Sequence, residues 1–296
     1  MARNGTIENY AARKGWDCYN PSVPFAYGKR RLAVARTEPA DDEFASRAVF
    51  FEERKPCVWE PLKFPEFKLQ DPFLFKLGKD FVLGGVRVAL SKERKLADYR
   101  TVFYKGKNLR ALRFWFRGPS RMKGICIVER AGDGFIVLTR PQIVSAEDPF
   151  GRGRIGLAFA RSLREIPGKI GKAKILSGLC RADEWVGSNQ AFELKNGNIG
   201  VVGHRARFDK KGHRHYSAIA FEADPLSGKV HYVRALARRG DFPRFEGKRK
   251  DLYDVLYPAG IVKNGKGSYE LFTGIGDKAI GTKKIDYPFS APPARA

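Results

Sequence analysis

One pattern constrains this chain more than any other. An apolar strand, a glycine-containing turn, a second apolar strand and a terminating polar residue recur five times. The copies are NPSVPFAYGKRRLAVAR at 20–36, DPFLFKLGKDFVLGGVR at 71–87, KGICIVERAGDGFIVLTR at 123–140, NQAFELKNGNIGVVGHR at 189–205 and YPAGIVKNGKGSYELFTGIGD at 257–277. Each carries a glycine near its middle: Gly28, Gly78, Gly134, Gly197 and Gly265. In four of them the turn reads Gly-Lys or Asn-Gly, which is good hairpin chemistry. Helical periodicity is scarce, and its best candidate, residues 156–166, reads as strand equally well.

The copies begin 51, 52, 66 and 68 residues apart. Hairpins at that spacing, with room for two further strands each, are expected to be the blades of a β-propeller. The expectation is therefore an all-β fold, a single five-bladed propeller over 1–296, with segments such as 41–66 and 206–234 supplying outer strands. A β-sandwich with irregular strands is the rival architecture.

Hairpin geometry then predicts a site. The start of the first strand and the end of the second lie together, opposite the turn. The open ends of five inner hairpins form a ring at one mouth of a central channel. Its members are Asn20 and Arg36, Asp71 and Arg87, Lys123 and Arg140, Asn189, Gln190 and His204, and Tyr257 and Asp277. Polar residues ending otherwise apolar strands suit a pocket better than a core.

Charge narrows the chemistry. Lys and Arg number 56 against 32 Asp and Glu, a net charge of +24. Such an excess attracts anions. It is dispersed along the chain, without the basic helix, zinc-finger spacing or aromatic motif of the common nucleic-acid modules. In the ring, Asp71 and Asp277 face several cations. A glycosidase needs two working carboxylates. One acid with a cation cluster suits attack by an anion that needs no deprotonation, namely phosphate, which Arg and Lys hold through charge-assisted hydrogen bonds.

These residues carry a resemblance. LQDPFLF at 69–75, GFIVLTRP at 134–141, WVGSNQAFELKNGNIGVVGHRA at 185–206 and the closing YPAGIV…YELFTGIGD at 257–277 resemble, in order and spacing, motifs of the β-1,2-mannosyltransferase/phosphorylases of glycosyltransferase family 108. That family is related to the inverting β-mannoside phosphorylases of glycoside hydrolase family 130. The resemblance covers roughly 16–285. It implies a five-bladed propeller that releases α-mannose 1-phosphate from β-1,2-mannooligosaccharides with inorganic phosphate, reversibly, with a sugar phosphate or GDP-mannose as donor in synthesis. It further implies Asp71 as general acid, Lys123, Arg140 and His204 as phosphate ligands, and Asp277 and Arg36 near the bound sugar. His204 is expected to contribute charge only when protonated. The remaining ring residues, Asn20, Arg87, Asn189, Gln190 and Tyr257, are assigned to substrate binding.

Other candidates were weighed against these. Asp17 opposite Asp71 would make an inverting hydrolase. A non-catalytic basic propeller binding nucleic acid or an acidic glycan is the alternative from another class, although nucleic acid is not the expected partner. His213, His215 and His231 lack carboxylate or Cys partners at ligand spacing, so neither metal nor cofactor is expected. Glu147, Asp148 and Pro149 are read as a connecting loop. Trp16 and Trp185 precede ring strands and could stack on sugars. Cys18, Cys57, Cys126 and Cys180 lie 39, 69 and 54 residues apart, which excludes CxxC motifs and reads as reduced thiols in a cytoplasmic protein. No signal peptide and no membrane segment is expected.

Overall fold

The computed structural model describes residues 4–132, 134–264 and 267–294. Nearly all regular structure is antiparallel sheet. Among the described residues the one α-helix is the short Ile166–Ile170. Residues 156–166 resolve into the strand Gly156–Ala160 and a turn.

Three units are four-stranded meanders. The first runs Gln70–Leu77, Asp80–Leu90, Leu96–Gly106, Arg113–Arg117. The next comprises Cys126–Glu129, Phe135–Thr139, Gly156–Ala160 and Lys174–Ile175. The last comprises Glu184–Glu193, Ile199–Phe208, Arg214–Ala223 and Val230–Arg238. A nine-stranded sheet joins the two chain ends. Its N-terminal half holds Trp16–Pro21, Arg30–Pro39, Arg47–Lys55 and Val58–Pro61, with Phe25–Tyr27 paired to Arg30–Pro39. Its C-terminal half holds Leu256–Asn264, Ser268–Ile275 and Ala279–Ile285.

Gly5–Tyr10 stitches the halves together. It pairs antiparallel with Ala279–Ile285, and its last two residues pair in parallel with Val58 and Trp59. Glu8 anchors the stitch from within. Its buried carboxylate accepts from Trp59 Nε1 at 2.8 Å and Thr282 Oγ1 at 2.9 Å, one partner in each half. Burying that charge is tolerable because both oxygens are hydrogen-bonded.

Each sequence copy overlaps a pair of hydrogen-bonded strands: the first two strands of each meander, Leu256–Asn264 with Ser268–Ile275, and, for the first copy, the end of Trp16–Pro21 with Arg30–Pro39. Gly28, Gly78, Gly134 and Gly197 all have positive φ, which those turns require. Gly265 lies outside the described residues. Alternating apolar side chains fill the spaces between successive units. Leu32, Val34 and Phe50 meet Leu74, Leu83 and Val102. Val82 and Phe103 meet Ile127 and Val137. Ile136 and Leu138 meet Val201 and Phe221. Val202 and Ala220 meet Leu256 and Leu271. Ala33 and Val49 meet Phe272 and Ile280, so the last unit packs on the first. Truncating a fully buried aromatic such as Phe103 to Ala costs about 3–5 kcal/mol at such sites.

Candidate functional site

A bulge recurs at one place in four units. The pairing shifts register between Tyr19 and Pro21, Gln70 and Phe73, Ser188 and Gln190, and Pro258 and Gly260. Asn20, Asp71, Asn189 and Ala259 sit in these bulges, and all four line one cavity of about 480 Å³. A bulge re-aims a side chain out of the sheet's alternation. At Asn20 and Asp71 it does so with φ of 44° and 46°, and Asp277, also on the cavity, has φ 51°. Asn and Asp are the side chains that tolerate this left-handed backbone, and strain of that kind concentrates at functional sites.

Nine of the eleven ring residues expected from the sequence line this cavity: Asn20, Arg36, Asp71, Lys123, Arg140, Asn189, His204, Tyr257 and Asp277. Two do not. In the first unit Arg36 pairs with Tyr19, but in the second it is Val86 that pairs with the corresponding Gln70. That one-residue offset turns Val86 to the cavity and Arg87 to the opposite face, where its guanidinium meets the Tyr104 hydroxyl. Gln190 follows the bulge and is back in strand alternation. Its amide accepts from Ile261 N at 2.7 Å and donates to Ile261 O at 3.1 Å, tying two units together.

On one side of the cavity is a fixed carboxylate. Asp71 Oδ1 accepts from Asn20 Nδ2 at 2.8 Å and from Arg36 Nη1 at 3.2 Å. Arg36 is held behind by the wholly buried Glu38, at 2.8 Å, which also binds Tyr19, Ser46 and Lys248. Burial alone would raise the Asp71 carboxyl. Arg36, Lys123 and the Asn20 hydrogen bond outweigh it and hold Asp71 below the usual range. Asp277 goes the other way. Burial, reinforced by Asp71 and Glu38 and only partly offset by Arg36, pushes it up to about 6.

The same cavity carries a cationic group. Arg140 is buried, its guanidinium clamped by two backbone carbonyls: Nε donates to Val186 O and Nη2 to Arg152 O, both at 3.1 Å. Burial and neighbouring Arg140 lower the Lys123 ammonium to about 8. His204 Nδ1 lies 2.8 Å from Asn189 Oδ1, and its ring stacks 5.3 Å from Tyr216. A side chain at Gly187 would come within 2.5 Å of that ring, so glycine is needed there. Burial, then Arg140 and Lys123, push His204 well below its ordinary value, so it is a neutral hydrogen-bonding group and not the switchable cation expected from the sequence.

Asp17 is not on the cavity; it lies 3.5 Å from the Lys248 ammonium, behind Glu38. The hydrolase pair Asp17/Asp71 is therefore not assembled. Trp185 is buried, donating to Tyr216 from behind, and Trp16 packs under Arg13, so neither offers a stacking face to the cavity. His215 is held between Asp254 and Asp209, and no group of metal-ligating side chains occurs among the described residues. Asp148 is buried in its loop, where it accepts from Gly153 N at 2.6 Å and shapes the turn around Arg140. The sequence reading missed Tyr216, Arg214 and Arg249, which also line the cavity. Arg214 and Tyr216 begin the third strand of their unit, within the HRHY run at 213–216 whose histidines are read only for metal.

A family model described as a protein of unknown function, DUF1861, matches residues 3–291. The chain belongs to the DUF1861 family. No curated protein matches this DUF1861 chain. Among solved structures, it is similar to a mannose phosphorylase from Leishmania mexicana in complex with phosphate ion. The two share 29% identity at a TM-score of 0.89, over 98% of this chain and 90% of that one. It is also similar to a GDP-Man-dependent mannosyltransferase from Leishmania mexicana, at 25% identity and TM-score 0.88, over 98% and 91%. The β-1,2-mannobiose phosphorylase of Listeria innocua, at 12% identity and TM-score 0.69 over 93% and 92%, shares the fold. The resemblance carried by the sequence motifs is thus matched by whole-chain similarity to mannosyltransferase/phosphorylase structures.

Proposed function

We propose that this protein is an inverting β-1,2-mannoside phosphorylase of the mannosyltransferase/phosphorylase kind. Its five antiparallel units would be the blades of one propeller domain, with the cavity at one mouth of the central channel. The observation that carries the reading is that Lys123, Arg140 and neutral His204 line the same cavity as the fixed Asp71 carboxyl. The similarity to a phosphate-bound mannose phosphorylase, at 29% identity, supports it.

Phosphate sits on Arg140 and Lys123 and attacks the anomeric carbon. The carbon–oxygen bond to the leaving sugar breaks on the opposite face. That oxygen takes its proton from Asp71, either directly or through a sugar hydroxyl as the family resemblance implies. The lowered pKa makes Asp71 an anion near neutral pH. A bound phosphate cancels the positive potential that keeps it so and moves it toward the protonated state the step requires. The product is α-mannose 1-phosphate, and the reverse reaction extends the mannoside. A GDP-mannose donor would place its diphosphate on the same cations, a second reading favoured by the similarity, at 25% identity, to a GDP-Man-dependent mannosyltransferase.

No helix among the described residues is long and apolar enough to cross a membrane. The four cysteines are unpaired. We propose a cytoplasmic location. The function is tested by incubating β-1,2-mannobiose with the protein in buffers with and without phosphate. Consumption is expected only with phosphate. Transfer from GDP-mannose without any phosphorolysis would select the second reading.

A further inference from the structure

A second cavity of about 470 Å³ adjoins the first. Phe44, Gln70, Val86 and Val88 line both, so these side chains form a shared wall. Beyond the wall the second cavity is floored by Phe67, Arg87 and Tyr104. Phe67 and Tyr104 lie 4.7 Å apart, and Arg87 donates to the Tyr104 hydroxyl. We propose that this groove binds the distal sugar units of a mannooligosaccharide, on the leaving side of the bond that is broken.

The proposal rests on the phosphorylase reading and deepens it. Three observations select this occupant. The first is direction. On the phosphorylase reading phosphate is held by Lys123 and Arg140 while Asp71 protonates the leaving oxygen, so the leaving chain passes Asp71. Gln70, the residue adjoining Asp71, is part of the shared wall, and its amide bridges to Glu43 O at 3.0 Å. A chain leaving past Asp71 crosses that wall into the groove.

The second is chemistry. Aromatic faces from Phe44 and Phe67 beside the polar ends of Arg87 and Tyr104 suit a sugar, which has apolar ring faces and a hydroxyl rim. The third is size. The groove matches the central cavity in volume, so it accommodates sugar units like those the centre holds. This also gives a place to Arg87, which the return-strand register removes from the central ring.

The test compares β-1,2-mannobiose with β-1,2-mannotetraose as substrates in phosphate buffer. For Arg87→Ala, kcat/KM for the tetrasaccharide relative to the disaccharide is expected to fall about tenfold, through KM. That is the scale of one hydrogen bond to a charged group. Tyr104→Phe should lower the ratio in the same direction and guards against a folding defect at Arg87. Calorimetric titration of mannotetraose without phosphate should show the same loss of affinity. An unchanged ratio in both variants, or wild-type protein that treats the two substrates alike, would overturn the groove. Wild-type protein that turns over neither substrate with phosphate would instead overturn the phosphorylase reading.

Discussion

Asn20 donates a 2.8 Å hydrogen bond to the carboxylate of Asp71, and both residues hold left-handed backbone in equivalent bulges of adjacent units. Two strained positions are thus used to bring one amide onto one acid. Asp71→Asn is nearly isosteric and keeps the bulge, but has no proton to give. Its kcat should fall by about 10²–10⁴, with an unchanged circular dichroism spectrum and melting temperature. The Asn20 bond stabilises the ionised form of Asp71. Removing it in Asn20→Ala raises the Asp71 pKa, so the alkaline limb of the kcat–pH profile should move to higher pH.

Burial and neighbouring Arg140 lower the Lys123 ammonium to about 8. Its charge is present below that pH and lost above it. The apparent phosphate KM should therefore rise as pH passes 8, and Lys123→Met should start from a higher KM and lose that inflection. Steady-state kinetics at saturating mannobiose between pH 6 and about 9.5 read this directly.

Much of the site was legible in the sequence because hairpins are local. Turn chemistry at Gly28, Gly78 and Gly197 fixes where strands fold back, and hence which residues reach the open end. Arg87 and Gln190 were misplaced because bulges change the alternation of side chains, and a bulge appears only in the pairing register. Tyr216 and Arg249 were missed for a different reason. They come from a third strand and a connecting segment, whose approach to the cavity is a property of the packed units rather than of any short motif.

The stitch between the chain ends makes a stability prediction. Glu8→Ala would leave the Trp59 indole N–H and the Thr282 hydroxyl buried without their acceptor. That should cost about 2–4 kcal/mol. Glu8→Gln keeps one acceptor oxygen and should cost less. Denaturant unfolding of the two variants against wild type measures the difference.

Asp277 carries a raised pKa of about 6, so its ionisation opposes folding. The penalty is absent below the ordinary carboxylate range near pH 4, grows from there to about 6, and is complete above it. Asp277→Asn should accordingly gain melting temperature relative to wild type between pH 5 and pH 8. A gain independent of pH would show that the carboxyl is not perturbed.

The most direct measurement is a ³¹P NMR time course of the wild-type protein and Arg140→Ala with β-1,2-mannobiose and inorganic phosphate. The wild type should convert the phosphate resonance into that of α-mannose 1-phosphate, with one mannose released per phosphate consumed. Arg140→Ala should do so only at strongly raised phosphate concentration, since a clamped, charge-assisted contact is lost. Free mannose produced at full rate in phosphate-free buffer, or a β-configured phosphate product, would contradict the account.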